Sequence, residues 1–73
     1  MTKTQTLAAS FAAALKTTRL ARQLSQEALA QKAGLSVSYI SMLEREQRTP
    51  PLDTIEQLAK ALKVTPLDLL RAA

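Results

Sequence analysis

LSQEALAQKAGLSVSYISMLERE, running from Leu24 to Glu46, decides the fold. It reads as two short helices joined by a tight turn at Ala33-Gly34-Leu35. Ser25 precedes a helical run carrying Leu29 and Ala33. Gly34 stands where the first of these helices must stop and reverse, a place that favours a residue free to adopt positive φ. Ser36 can cap the following helix through its hydroxyl. Helix, tight turn, helix is the expected local architecture.

Outward from this stretch the chain reads as helical throughout. Ala and Leu dominate, Val, Ile, Tyr and Phe are scarce, and no alternating strand pattern appears. Leu7, Phe11 and Leu15 recur every four residues and mark helix one, roughly Thr6 to Gln23. Leu20 and Leu24 are expected to extend its apolar side. Helix two runs about Gln26 to Lys32 and helix three about Val37 to Arg45. A polar loop follows, Glu46 to Pro51, ended by two prolines that cannot continue a helix interior. Helix four carries Leu52, Ile55, Leu58, Ala59 and Leu62. Asp53 and Glu56 lie in its first turns and Lys60 and Lys63 at its other end, the signs its dipole favours. Thr65-Pro66-Leu67-Asp68 then signals a new start: Thr65 as N-cap, Pro66 at the first helical position and Asp68 answering the cap. Helix five is Pro66 to Arg71. The expectation is an all-α, compact five-helix bundle.

Seventy-three residues make one small domain, residues 1–73, with a short tail 1–5 expected to be disordered. A core this small is marginal alone, and oligomerisation is one remedy. Ten Lys and Arg oppose six Asp and Glu, a net charge of +4. The pI of about 10.0 fits the electrostatic footprint of a nucleic-acid binder without being specific to one. There is no cysteine and no histidine, so neither disulfide, thiolate nor ordinary zinc chemistry is expected. No apolar run approaches the ~20 residues needed to cross a bilayer, and no signal peptide is apparent. A cytoplasmic protein is therefore expected. The serines lack a base to activate them, the carboxylates are scattered, and no glycine-rich phosphate loop exists. An enzyme, a cofactor, a metal and a small-molecule ligand are all set aside.

On helix three, about 100° per residue points Ile40 and Leu43 into a core, with Leu35 joining from the turn. Ser38, Ser41, Met42 and Arg45 fall on the opposite side, with Val37 and Tyr39 on the flanks. That outward face mixes hydroxyls, a thioether and an arginine. Hydroxyls can bond base edges, apolar groups can touch thymine methyls, and Arg can bond guanine or phosphate. A solvated helix would more often carry Glu and Lys.

These residues resemble the lambda/434-type repressor family of helix-turn-helix proteins, also called the XRE or Cro/C1 family. The resemblance covers about Phe11 to Leu70. It rests on Leu15 and Arg19, the LSQEALAQKAGLS run, YISMLER, and LDTIEQLAKALKVTPLDLL. It implies a transcriptional regulator that binds double-stranded DNA as a homodimer, with helix three in the major groove. Chains of this length resemble restriction–modification controller proteins or small phage-type repressors, and these two remain open. The resemblance places Gln26 against phosphate and the edge of the reading helix, and makes Val37, Ser38 and Met42 the principal base readers. Tyr39 and Arg45 stand beside the backbone, and Gln47 and Arg48 in a loop that approaches phosphates. The candidate DNA-binding set is thus Gln26, Ser36, Val37, Ser38, Tyr39, Ser41, Met42, Arg45, Gln47 and Arg48. Arg19 and Glu44 match a family ion pair tying helix one to helix three.

Two departures stand out. The family commonly has glycine just after helix three, where Glu46 stands. A left-handed cap by Glu would be strained, so the helix is expected to end differently or run on. Its carboxylate would also stand close to phosphates, weakening binding or facing away. Val37 replaces the long polar reader often found in relatives, which shifts readout towards thymine methyls and DNA shape.

A lone copy would contact too few base pairs for useful specificity. The candidate dimer surface comprises Val64, Leu67, Leu69 and Leu52. Within helix five Leu67 and Leu70 can face inward, which leaves Val64, Leu69 and Leu52 to cover a partner. The alternative function is a protein-interaction module, such as an antitoxin or adaptor. Glu46 is the one residue that favours it.

Overall fold

The computed structural model describes residues 6–71, and the expectation for the tail 1–5 lies outside them. Among the described residues five helices follow one another: α1 (Leu7–Ala21), α2 (Gln26–Ala33), α3 (Val37–Glu44), α4 (Leu52–Leu62) and α5 (Pro66–Leu70). α1 packs against α3 and α5, α2 against α3 and α4, and α4 against α5. Leu15, Leu29, Ile40, Leu43, Leu58, Leu62 and Leu69 form the fully buried centre. No helix among the described residues is long and apolar enough to cross a membrane.

Hydroxyl and carboxylate chemistry sets where helices begin. The side chains of Thr6, Ser25 and Ser36 each accept from the backbone N–H three residues on, at 3.1, 3.0 and 3.1 Å. Thr65 accepts from the Asp68 N–H at 3.3 Å, and Asp68 Oδ2 accepts from the Thr65 N–H at 3.0 Å, closing a capping box. α4 starts after Pro51 without a side-chain cap.

The helix ends share one solution. After each of α1 to α4 one residue turns left-handed: Gln23 (φ 60°), Gly34 (φ 72°), Glu46 (φ 59°) and Lys63 (φ 60°). The next N–H then bonds back to the helix, Leu24 to Arg19 O, Leu35 to Ala30 O, Gln47 to Met42 O and Val64 to Ala59 O, at 2.8–3.1 Å. This is the Schellman arrangement, which satisfies carbonyls a helix end would otherwise leave unpaired. Three of the four ends run straight into the next cap. Gln23-Leu24-Ser25, Gly34-Leu35-Ser36 and Lys63-Val64-Thr65 each supply a left-handed turn, an apolar residue packed on the core and an N-cap.

The expectation that α3 would end differently at Glu46 is therefore corrected. α3 stops at Glu44 and Glu46 takes the left-handed position itself. Backbone bonds to the Met42 and Leu43 carbonyls offset a strain of roughly 1–2 kcal/mol. The same reasoning makes Lys63→Gly a stabilising change. Relief of the strain should add about 0.5–1 kcal/mol, a rise of roughly 2–8 °C in a thermal melt. A lower melting temperature would show that the lysine is not strained there.

Two further expectations change. Leu20 was read onto the buried side of α1, yet it is exposed, as is Leu7. The position four residues beyond Leu15 belongs to Arg19, which is buried. Leu69 was read as facing a partner, yet it is 0% exposed, while Leu67 is 69% exposed. The capping box fixes the phase of α5, keeping Asp68 in solvent and turning Leu69 beneath it. Leu69 therefore leaves the candidate dimer surface.

Candidate nucleic-acid interface

The position of α3 is set by a small polar network under its C-terminal end. Arg19 Nε donates to Glu44 Oε2 at 2.7 Å and Arg19 Nη2 to Glu44 Oε1 at 3.1 Å, a two-pronged pair. The third arm of the guanidinium, Nη1, donates to Leu24 O at 2.7 Å. Arg19 thus ties α1 to α3 and to the chain entering α2. Both side chains are almost wholly removed from water, 9% and 4% exposed. Hydrogen bonding to Glu44 holds the Arg19 guanidinium above its ordinary pKa despite its burial. For Glu44 burial pushes the carboxyl up. Bonds from Arg19 and Gln26, with the positive charges of Arg19 and Lys16, outweigh it and hold the pKa below the usual glutamate value.

The sequence reading missed the third member of this network. Gln26 Nε2 donates to Glu44 Oε1 at 3.0 Å, joining the first residue of α2 to the last of α3. A glutamine opening one helix and a glutamate ending the next carry no shared pattern. Only the packing of α2 on α3 brings them together. A second missed contact joins the end of α1 to the end of α4, where Arg22 Nε donates to Leu62 O at 2.8 Å.

Two hollows border α3. One hollow is lined by Gln26, Val37, Ser38, Ser41, Met42, Arg45 and Gln47. The other is lined by Gly34, Leu35, Ser36, Tyr39, Met42, Arg48 and Thr49. Met42 forms the shared ridge. The two hollows between them contain all ten candidate DNA-binding residues and no carboxylate. Ser36 already uses its oxygen to accept from the Tyr39 N–H, leaving its hydroxyl proton to donate. The serines and glutamines offer donors and acceptors, Val37 and Met42 apolar surface, and Arg45 and Arg48 exposed positive charge. Such a surface can meet both base edges and phosphates.

A different surface gathers apolar side chains. Leu7, Ala8, Phe11, Thr49, Pro50, Leu52, Ile55 and Leu70 line a groove of about 190 Å³. Leu52 is 76% exposed at its rim. Val64 is only half-buried, resting on the core. Thr49 borders both this groove and one of the α3 hollows.

Comparison with known proteins agrees with the fold. The family described as Helix-turn-helix, HTH_3, matches residues 15–69. The control protein C.BamHI of Bacillus amyloliquefaciens is 51% identical over 47 residues, which is 64% of this chain and 58% of that protein. The chain spans about half the length, or less, of the first curated relatives it matches. Among solved structures, the hypothetical transcription factor NHTF from Neisseria superimposes with a TM-score of 0.91 at 35% identity, covering 99% of this chain and 83% of that one. The restriction-modification controller protein C.AhdI from Aeromonas hydrophila gives a TM-score of 0.82 at 42% identity, covering 85% of this chain and 94% of that one. These relatives are regulators and controller proteins, not enzymes.

Proposed function

The chain belongs to the helix-turn-helix family HTH_3, and from that premise we propose that it is a sequence-specific regulator of transcription. It binds an inverted-repeat operator in double-stranded DNA as a homodimer, with α3 in the major groove. The observation that carries this reading is the gathering of ten potential contact side chains, none of them a carboxylate, in the two hollows that border α3. Likeness to C.BamHI and C.AhdI favours a role as a restriction–modification controller. The dimer surface we assign comprises the exposed Leu67 and Leu52, the apolar groove that Leu52 lines, and the half-buried Val64. A surface this apolar on so small a chain favours a partner copy.

Selection from a random duplex library near physiological salt tests the reading. The expected product is an inverted repeat with half-sites about one helical turn apart. Salt-sensitive binding with no enriched sequence would favour the adaptor or antitoxin reading, for which the exposed Glu46 is the one supporting residue. On the selected operator, Arg45→Ala and Arg48→Ala should each weaken binding to all sequences and reduce the salt slope by about one unit. Ser38→Ala and Met42→Ala should instead change sequence preference more than overall affinity. Unchanged salt slopes would remove the arginines from the contact surface, and a uniform loss would remove Ser38 and Met42 from base reading.

A further inference from the structure

Glu46 stands at the meeting of two costs. Its backbone is left-handed, φ 59°, in an arrangement that the chain's own Gly34 shows at φ 72° without a side chain to strain. Glu46 is exposed, and its sequence neighbours Arg45, Gln47 and Arg48 all line the hollows beside α3. Among the described residues the ion pairs are Arg19 with Glu44 and Arg71 with Asp68. Glu46 belongs to neither, so its negative charge is not cancelled by a bonded cation. The bond from Gln47 N–H to Met42 O at 2.8 Å holds the backbone of the turn that carries the charge.

We propose that Glu46 is an affinity-setting residue of the DNA-binding surface. The proposal rests on the DNA-binding reading above and deepens it. Arg45 and Arg48 draw the loop towards the phosphate backbone, and the Glu46 carboxylate is repelled by the same phosphates. Repulsion from phosphate is blind to base sequence, so Glu46 lowers affinity for every duplex alike. The residue shifts the protein concentration at which DNA becomes occupied, leaving the choice of sequence to α3.

Two variants separate the charge from the backbone. Glu46→Gln removes the charge and keeps the side chain's length and the left-handed strain. It should tighten binding to the selected operator and to an unrelated duplex by the same factor. That factor is about two- to five-fold near physiological salt, the size of an exposed charge interaction. The gain should grow as salt is lowered, while the melting temperature stays unchanged. Glu46→Gly should tighten binding at least as much and also melt at a higher temperature. Unchanged or weaker binding by Glu46→Gln overturns the proposal. So does a gain confined to one sequence, which would mean that the carboxylate contacts a base. A folded wild-type protein that binds no duplex overturns the DNA-binding reading itself, and this inference falls with it. Wild-type binding that is insensitive to Glu46→Gln overturns this inference alone.

Discussion

Glu44→Ala is expected to destabilise the protein by about 3–5 kcal/mol, the cost of breaking a buried ion pair by removing one partner. A domain of this size has only about 5–15 kcal/mol of net stability, so the variant should sit at the edge of unfolding. The reason is geometric. Two of the Arg19 nitrogens face the Glu44 oxygens and the third faces the Leu24 carbonyl. Removing the carboxylate leaves a positive charge with most of its donors unanswered in a place water barely reaches. Gln26 loses its acceptor at the same time. The double variant Arg19→Met with Glu44→Leu should lose less than Glu44→Ala, because neither charge is left behind. Urea unfolding checks both. A loss under about 1 kcal/mol for Glu44→Ala would place the pair among weak surface bridges.

The same pair predicts an acid limb. The native pKa of Glu44 lies below its ordinary value of 4.5, so the native state favours the charged form. Its stabilisation is complete above that ordinary value and is lost as pH falls through the lower native one. The exposed Asp68, held low by bonds from Thr65, acts in the same direction. Glu44→Gln should flatten the acid side of a stability–pH curve. An unchanged curve would mean that Glu44 does not carry it.

Leu67 and Leu69 should give opposite results two positions apart. Leu69→Ala removes a side chain that is 0% exposed and should cost about 2–5 kcal/mol through lost burial and the cavity left behind. Leu67 is 69% exposed, so Leu67→Glu should cost the fold of a single chain little, and the melting curve should fall only by the stability that dimerisation adds. On the homodimer reading it should convert the protein to monomers in sedimentation, with helical circular dichroism retained. A stable Leu69→Ala would return that residue to the surface. A dimeric Leu67→Glu would move the interface elsewhere.

These contrasts show what a sequence makes legible. Ser25, Ser36 and the Thr65-Pro66-Asp68 set act over three residues, and their cap chemistry could be read directly. The core face of α3, with Ile40 and Leu43 inside, followed from two turns of periodicity. α5 has only five residues, too few for a period to tell Leu67 from Leu69. On α1, counting apolar residues alone skipped Arg19, because a charge can take a core position only when a distant carboxylate meets it. The left-handed turns at Gln23 and Lys63 were hidden because no glycine marks them, and the one at Glu46 was discounted because a side chain strains it. The contact between Gln26 and Glu44 was hidden because it exists only once α2 and α3 have packed.

The connectors of three or four residues after α1, α2 and α4 bear on how the chain reaches its native state. Each is at once the end of one helix and the beginning of the next, so there is almost no slack to gather in when neighbouring helices dock. Closing short loops costs little entropy, and local pairings favour folding in microseconds to milliseconds. The same economy makes these joints brittle in length. One residue inserted at Gln23-Leu24-Ser25 or Gly34-Leu35-Ser36 would uncouple a helix stop from a helix start. The segment 46–51 is built otherwise, with a polar residue after its left-handed turn and no side-chain cap on α4. Length changes between α3 and α4 are therefore the ones the fold can absorb. That segment carries Arg48 and borders both a hollow beside α3 and the apolar groove, so variation in its length would reshape both surfaces while leaving the bundle intact.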